Sequence, residues 1–290
     1  MKKALANFLK ETAAKDKDLM LLTGDMGYGM FEPFQEEFPG QFLNCGIAEQ
    51  NMVGVAAGMA LMGKHPIVYS AAAFLTGRAW EQIKLDVAYQ NLPIILIGGG
   101  GGYAYGKLGA THHCNEDLAL MAMLPNMVVL NPCDTCEFSE LIRQAYQSQE
   151  PTYIRMCRQD AELPKTGEAP KIGKMRTITD GCDYCLVATG TIATAAAEAE
   201  SELRKRGIKG RFMTAATISP IDKIGLFHPL ITVEEHNSLG LAAKLSPTKA
   251  MATKREPVEK VGNREELLKA SNLTKDDIIS EVLSCFPTTF

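Results

Sequence analysis

Residues 44–70 read NCGIAEQNMVGVAAGMALMGKHPIVYS. From Met52 to Gly63 the chain runs through 12 residues of Met, Val, Ala, Leu and Gly without a charge, then passes into HPIVYS. The first part has the length of a helix, the second the length and β-branched content of a strand, so a helix over 48–63 and a strand over 65–70 are expected. Glu49 opens that helix, and two readings of it stand side by side. A carboxylate in a first turn complements the helix dipole, worth a few tenths to about one kcal/mol. A helix this apolar must also be buried, and a Glu buried with it needs a partner and can have a chemical task.

The same alternation continues outward. Strands are expected at LMLLTG, HPIVYS, LPIILIGG, NMVVLN and TYIRM, then at YCLVATG, GRFMTAA and LITVEE. Helices are expected near 2–14, 48–63, 78–90, 134–148, 190–206 and 264–284. This βαβ rhythm predicts an α/β protein with parallel sheets flanked by helices. RQDAELPKTGEAPKIGKM (158–175) interrupts it with Pro, Gly and charge. Two domains are therefore expected, 1–160 and 175–290, joined by a linker at 161–174.

Hydrophobic residues make up 46% and charged residues 22% of the 290, which excludes long disorder. A formal charge of -4 gives no basic footprint for nucleic acid. The 12-residue apolar run falls short of the roughly 20 residues of a membrane span. MKKALANFLKETAAKDKD is interrupted by Glu11 and Asp16 and reads as an amphipathic helix, not a signal peptide. The expectation is a cytoplasmic protein with neither nucleic acid nor membrane as partner. The eight cysteines include two C-x-x-C pairs, Cys133/Cys136 and Cys182/Cys185, with 45 residues between them. Paired zinc motifs are usually about 15–20 residues apart, so reduced, incidental thiols are expected and no metal set is assigned.

IILIGGGGGYAYGKL places five consecutive glycines at a strand end, where open α/β sheets bind ligands. A ligand-facing loop is expected there. Gly101, Gly106 and Lys107 fit the first part of a Walker A motif, but Leu108 stands where its hydroxyl belongs. In THHCNED (111–117), His112 is a candidate substrate- or cofactor-facing residue, and a helix begins near Asn115 or Glu116.

GIAEQNMVGVAAGMALMGKHPIVYS (46–70) resembles the pyrimidine-binding domain of the transketolase family of thiamine diphosphate enzymes. Four later blocks keep that family's order. RAWEQIKLDVAYQNLPIIL (78–96) is most similar to deoxyxylulose phosphate synthase, and GATHHCNEDLALMAMLPNMVVLNPCDTCE (109–137) resembles the G-x-T-H-Q segment. YIRMCRQ (153–159) resembles S-R-Q, and LITVEEHNSLG (230–240) resembles the C-terminal domain's T-V-E-E-H. The resemblance implies a pyrimidine domain followed by a transketolase C-terminal-like domain. It also implies that Glu49 hydrogen-bonds N1′ of the cofactor's aminopyrimidine and so promotes loss of the thiazolium C2 proton. An apolar setting helps a carboxyl group hold or share a proton in this way.

The match further implies that Phe74 packs on the pyrimidine, that Ile47 and Asp25 lie at the cofactor, and that His112 lies near the reacting carbon. Lys107 and Arg158 are the candidate anion contacts for substrate. Leu108 stands where family members carry an Asp, and Gly100 and Gly101 where they place phosphate-binding His or Arg, which points away from ordinary pentose phosphates. The family's N-terminal domain, with its G-D-G…N motif for Mg²⁺ and diphosphate, has no counterpart here, since TGDMGYG occupies a pyrimidine-domain position. The expectation is the catalytic-Glu subunit of a split transketolase-like enzyme that moves a two-carbon ketol unit between sugars. It would share thiamine diphosphate with a partner chain that binds Mg²⁺, in a heterotetramer containing a dimer of this chain. The rivals are the β subunit of a 2-oxo acid dehydrogenase decarboxylase, which lacks the T-H-Q-like segment, and a non-catalytic subunit that kept the fold.

Overall fold

The computed structural model describes residues 1–256 and 260–286. Six strands of the first half are β1 (Leu19–Thr23), β2 (Phe42–Asn44), β3 (His65–Ala71), β4 (Ile95–Gly99), β5 (Val128–Leu130) and β6 (Thr152–Met156). The second half supplies β7 (Arg176–Thr179), β8 (Cys185–Thr189), β9 (Arg211–Thr214), β10 (Thr217–Ser219), β11 (Leu230–Asn237) and β12 (Lys249–Thr253). They form two mostly parallel sheets flanked by helices, ordered β10-β5-β6-β4-β3-β1-β2 and β12-β11-β8-β9-β7. Only β10 on β5 and β7 on β9 run antiparallel among the described strands.

Burial on both faces explains why the central strands are apolar runs without alternation. In β4, Leu96 packs with Leu22, Met52, Val68 and Tyr153 on one face of the sheet. Ile95 and Ile97 pack with Leu5, Leu21, Phe34 and Phe138 on the other. The first of these cores continues into Val187, Met213 and Leu230 of the second half, and β10 completes the first sheet. The two halves therefore share apolar interior. The stretch 161–175 carries no strand or helix.

The short edge strands β2, β7, β10 and β12 are additions to the sequence reading; each is three to five residues long. Two expected helices are divided. In place of one helix over 78–90 there is a helix Ala72–Arg78, a turn Trp80–Gln82 and a π-helical segment Ile83–Ala88. In place of one helix over 264–284, helices Arg264–Ala270 and Lys275–Leu283 meet at a break. Asn272 there is left-handed (φ 55), and Thr274 starts a new capping box with Asp277. Such local signals end a helix even where the apolar spacing continues.

Candidate functional site

In the first sheet the chain steps from β1 outward to β2, then crosses back to place β3 on the other side of β1. Strand order reverses there, and open α/β sheets bind ligands in the crevice at the strands' carboxyl ends at such a point. Glu49 starts the helix Glu49–Leu61 that makes this crossover. Its carboxylate does not act as a cap. It is 2% exposed, accepts a hydrogen bond from Ser70 Oγ on β3 at 3.2 Å, and pairs with Arg78 Nη1 at 3.2 Å. Glu49 keeps its first-turn place, where a carboxylate complements the helix dipole, and is at the same time a buried acid with two side-chain partners.

The helix that follows is less buried than its composition predicts. Met52, Val53, Ala56 and Ala57 face the core, while Asn51, Gly54, Gly58 and Leu61 face outward.

From Glu49 a continuous wall of rings and cations runs along the crevice. The Arg78 guanidinium lies 4.1 Å from the Phe74 ring centroid. Phe74 meets the edge of His112 at 5.0 Å, and His112 meets Tyr105 at 5.8 Å. Arg158 caps the far end, its guanidinium 4.6 Å from the Tyr105 centroid. Thr111 Oγ1 sits 2.9 Å from His112 Nδ1 and orients the imidazole. Burial pushes the Tyr105 hydroxyl above its ordinary pKa, against the pull of Arg158, so it stays a protonated donor.

Four of the residues singled out in the sequence thus lie along one wall: Glu49, Phe74, His112 and Arg158. Ile47 is 76% exposed at the entrance to the Glu49 helix. Lys107 is exposed on the turn Gly106–Leu108. Asp25 lies just past β1 in a left-handed conformation (φ 54), bonded to Tyr28 and Asn44, not to any residue of the wall. Those two bonds hold its carboxyl below the usual range. Ser70, Arg78 and Tyr105 were not singled out. Arg78 stands four residues after Phe74, the spacing at which helix side chains meet, and that signal was available.

The five glycines themselves pack against the chain's own side chains, while Tyr105 further along the same loop joins the wall. A Cβ at Gly100 would collide with the Tyr105 ring, and one at Gly102 would come within 2.6 Å of the Glu235 carboxylate. Tyr153, Tyr69 and Arg155 occupy the equivalent space at Gly98, Gly99 and Gly101. The chain's own side chains need this close approach.

All four C-x-x-C cysteines are free, with Cys133 and Cys185 buried and Cys136 and Cys182 exposed. Burial, then Glu137 and Asp134, push the Cys133 thiol well up, which suits an inert thiol and not a redox nucleophile. Among the described residues no group of three or more His, Cys, Asp or Glu could hold a metal ion.

This wall offers an aminopyrimidine two contacts. Glu49 and Phe74 already hold a flat, N–H-bearing group in the form of the Arg78 guanidinium, stacked on the ring and bonded to the carboxylate. A planar heteroaromatic ring with polar nitrogens makes the same two demands, so the residues fit it. Arg78 is half exposed.

Fold and crevice together define a two-domain α/β protein with a buried acid at a sheet switch point. Residues 1–164 match the family model described as transketolase, pyrimidine binding domain, and residues 173–278 match transketolase, C-terminal domain. The chain belongs to the transketolase family of transferases, whose members depend on thiamine diphosphate.

It is 36% identical over 250 residues to one of the subunits of the apulose-4-phosphate transketolase of Phocaeicola vulgatus, covering 82% of this chain and 80% of that one. It is 33% identical over 219 residues to the 6-deoxy-6-sulfo-D-fructose transketolase subunit of a Clostridium species, covering 75% and 68%. A solved structure described as a split gene transketolase in an inactive β4 tetramer superposes with a TM-score of 0.84 at 29% identity. That superposition covers 98% of this chain and 96% of the other. No described helix is long and apolar enough to cross a membrane.

Proposed function

We propose that this chain is the catalytic-Glu subunit of a split transketolase-like enzyme that transfers a two-carbon ketol unit between ketose and aldose sugars. Residues 1–160 form its pyrimidine-binding domain and 175–290 its C-terminal-like domain, joined by 161–174, and it works in the cytoplasm. The observation that carries the reading is the buried Glu49 carboxylate, linked through the Arg78 guanidinium to the Phe74 ring, at the sheet's switch point.

Thiamine diphosphate, when bound, supplies the electron sink that carbon–carbon bond cleavage needs. Glu49 binds the pyrimidine through a ring nitrogen and moves a proton at that atom, with Ser70 holding the carboxylate in place. Phe74 packs on the ring, and Ile47 and Asp25 border it. His112, oriented by Thr111, moves protons at the substrate's hydroxyl and carbonyl oxygens. Arg158 and Lys107 attract the anionic end of the sugar. The phosphate and sulfonate in the names of the two relatives support a terminal anion.

The diphosphate and Mg²⁺ are held by a partner chain with a G-D-G…N motif, in a heterotetramer built on a dimer of this chain. The relatives named as subunits support a partner. So does the outward face of helix Glu49–Leu61, where Leu61 is 70% exposed and a Cβ at Gly54 or Gly58 would meet open space.

The test is calorimetric titration of thiamine diphosphate with Mg²⁺ into this chain, into a partner of about 250–300 residues, and into their mixture. Tight binding and ketol transfer are expected in the mixture only. Tight cofactor binding by this chain alone refutes the split site.

A further inference from the structure

We propose that Glu235 and Arg264 of the second domain are positioning residues, a charged clamp that sets the loop 100–114 and with it the placement of Tyr105 and His112. The proposal rests on the site reading above. A loop that begins with glycines has little conformational preference of its own, so its shape must be imposed from outside.

Three points impose it. Glu235, on β11 and 8% exposed, accepts the Tyr103 amide through Oε1 at 2.8 Å. Its Oε2 accepts Arg264 Nε at 2.8 Å and pairs with Nη2, while Arg264 Nη2 also reaches Thr191 Oγ1 at 3.2 Å. Gly102, with φ +63, leaves the room in which this carboxylate sits.

The second point is a lone antiparallel bridge between Gly102 and Cys114, with N–H···O distances of 2.7 and 3.0 Å. Arg155 ties it to the second domain, donating through Nη2 to Cys114 O at 3.0 Å and through Nη1 to Glu235 O at 2.8 Å. The third point is Gly106, packed so closely on Gly262 and Leu267 that no Cβ fits, with its carbonyl bonded to His113 Nε2 at 2.9 Å. Tyr103 OH adds a bond to Ser271 Oγ at 3.1 Å. Tyr105 and His112 lie between these anchors, and His112 meets Phe74 of the first domain.

The buried Tyr103 amide needs an acceptor, and the acceptor's charge needs the guanidinium. A side chain that touches no substrate therefore governs how well the reacting groups are placed, and a misplacement of about 1 Å costs up to about a hundredfold in rate.

The experiment is Arg264→Met in the full chain, read by hydrogen exchange over 100–114 and, with the partner subunit, by kcat and KM. Faster exchange confined to that loop is expected, with kcat lower by about tenfold to a hundredfold at a little-changed KM. Arg264→Lys should recover part of both, and it carries the same two readouts if Arg264→Met does not fold. Unchanged exchange in 100–114 overturns the clamp. Faster exchange with unchanged kcat overturns it as a positioning device. His112→Ala separates the two levels: if that variant also turns over normally, the site reading falls and not only the clamp.

Discussion

Replacing Glu49 by Gln separates chemistry from folding. Gln keeps the shape and the oxygen that accepts Ser70 Oγ at 3.2 Å, so the buried hydroxyl stays satisfied. What is lost is the charge facing Arg78, whose side chain is 49% exposed and can be hydrated instead. A pair solvated on one side contributes about 0–1 kcal/mol, which for a chain of this size is a fall in Tm of roughly 4 °C at most. Gln cannot take up or give back the proton that Glu49 moves, and positioned proton transfer contributes about 10²–10⁴-fold to rate. E49Q should therefore melt close to the wild type, assemble with its partner, and lose at least about a hundredfold in kcat. Melting by circular dichroism and a coupled assay of aldose formation read the two effects separately. Wild-type turnover in E49Q refutes the assigned role, and a fall in Tm well beyond the pair's worth means that the carboxylate is structural.

Two further outcomes follow from the buried charges between the domains. Asp117 is fully buried against Arg155 and Tyr153 OH, the latter at 2.6 Å; burial raises its carboxyl pKa, but Arg155 outweighs this and holds it below the ordinary value. Asp117→Asn leaves the Arg155 charge buried and unpaired and should cost about 3–5 kcal/mol in urea unfolding, and a loss below about 1 kcal/mol contradicts the pairing. Burial pushes the Glu234 carboxyl up to about 7, although Ala242 and Leu241 amides donate to it, and pulls the neighbouring His236 imidazole down to about 4. The raised Glu234 contributes stability that is full below its unfolded pKa of 4.5 and is lost as pH rises through 7. The depressed His236 contributes stability that is full above 6.5 and is lost as pH falls through 4. Glu234→Gln should thus gain stability over the wild type at about pH 8 and lose that gain at about pH 4, as read by unfolding at both pH values.

The central strands and the helices between them, the two mostly parallel sheets and the family were legible in the chain because apolar spacing and short blocks such as GIAE and THH are local features. A buried Glu49 was one of two readings open in the chain, because an uncharged run directly after it has few places to go but a core. Its partners were not legible, because Ser70 and Arg78 come from a later strand and helix that meet only at the sheet's switch point. The five glycines show the limit most clearly. In sequence they read as space for a ligand, and in the fold Tyr105, Arg155 and Glu235 claim that space. Which neighbour fills the room of a missing Cβ depends on contacts across more than a hundred residues, as between Tyr103 and Glu235. Periodicity along one chain carries no record of such contacts, because they form only when two separately patterned sheets pack together.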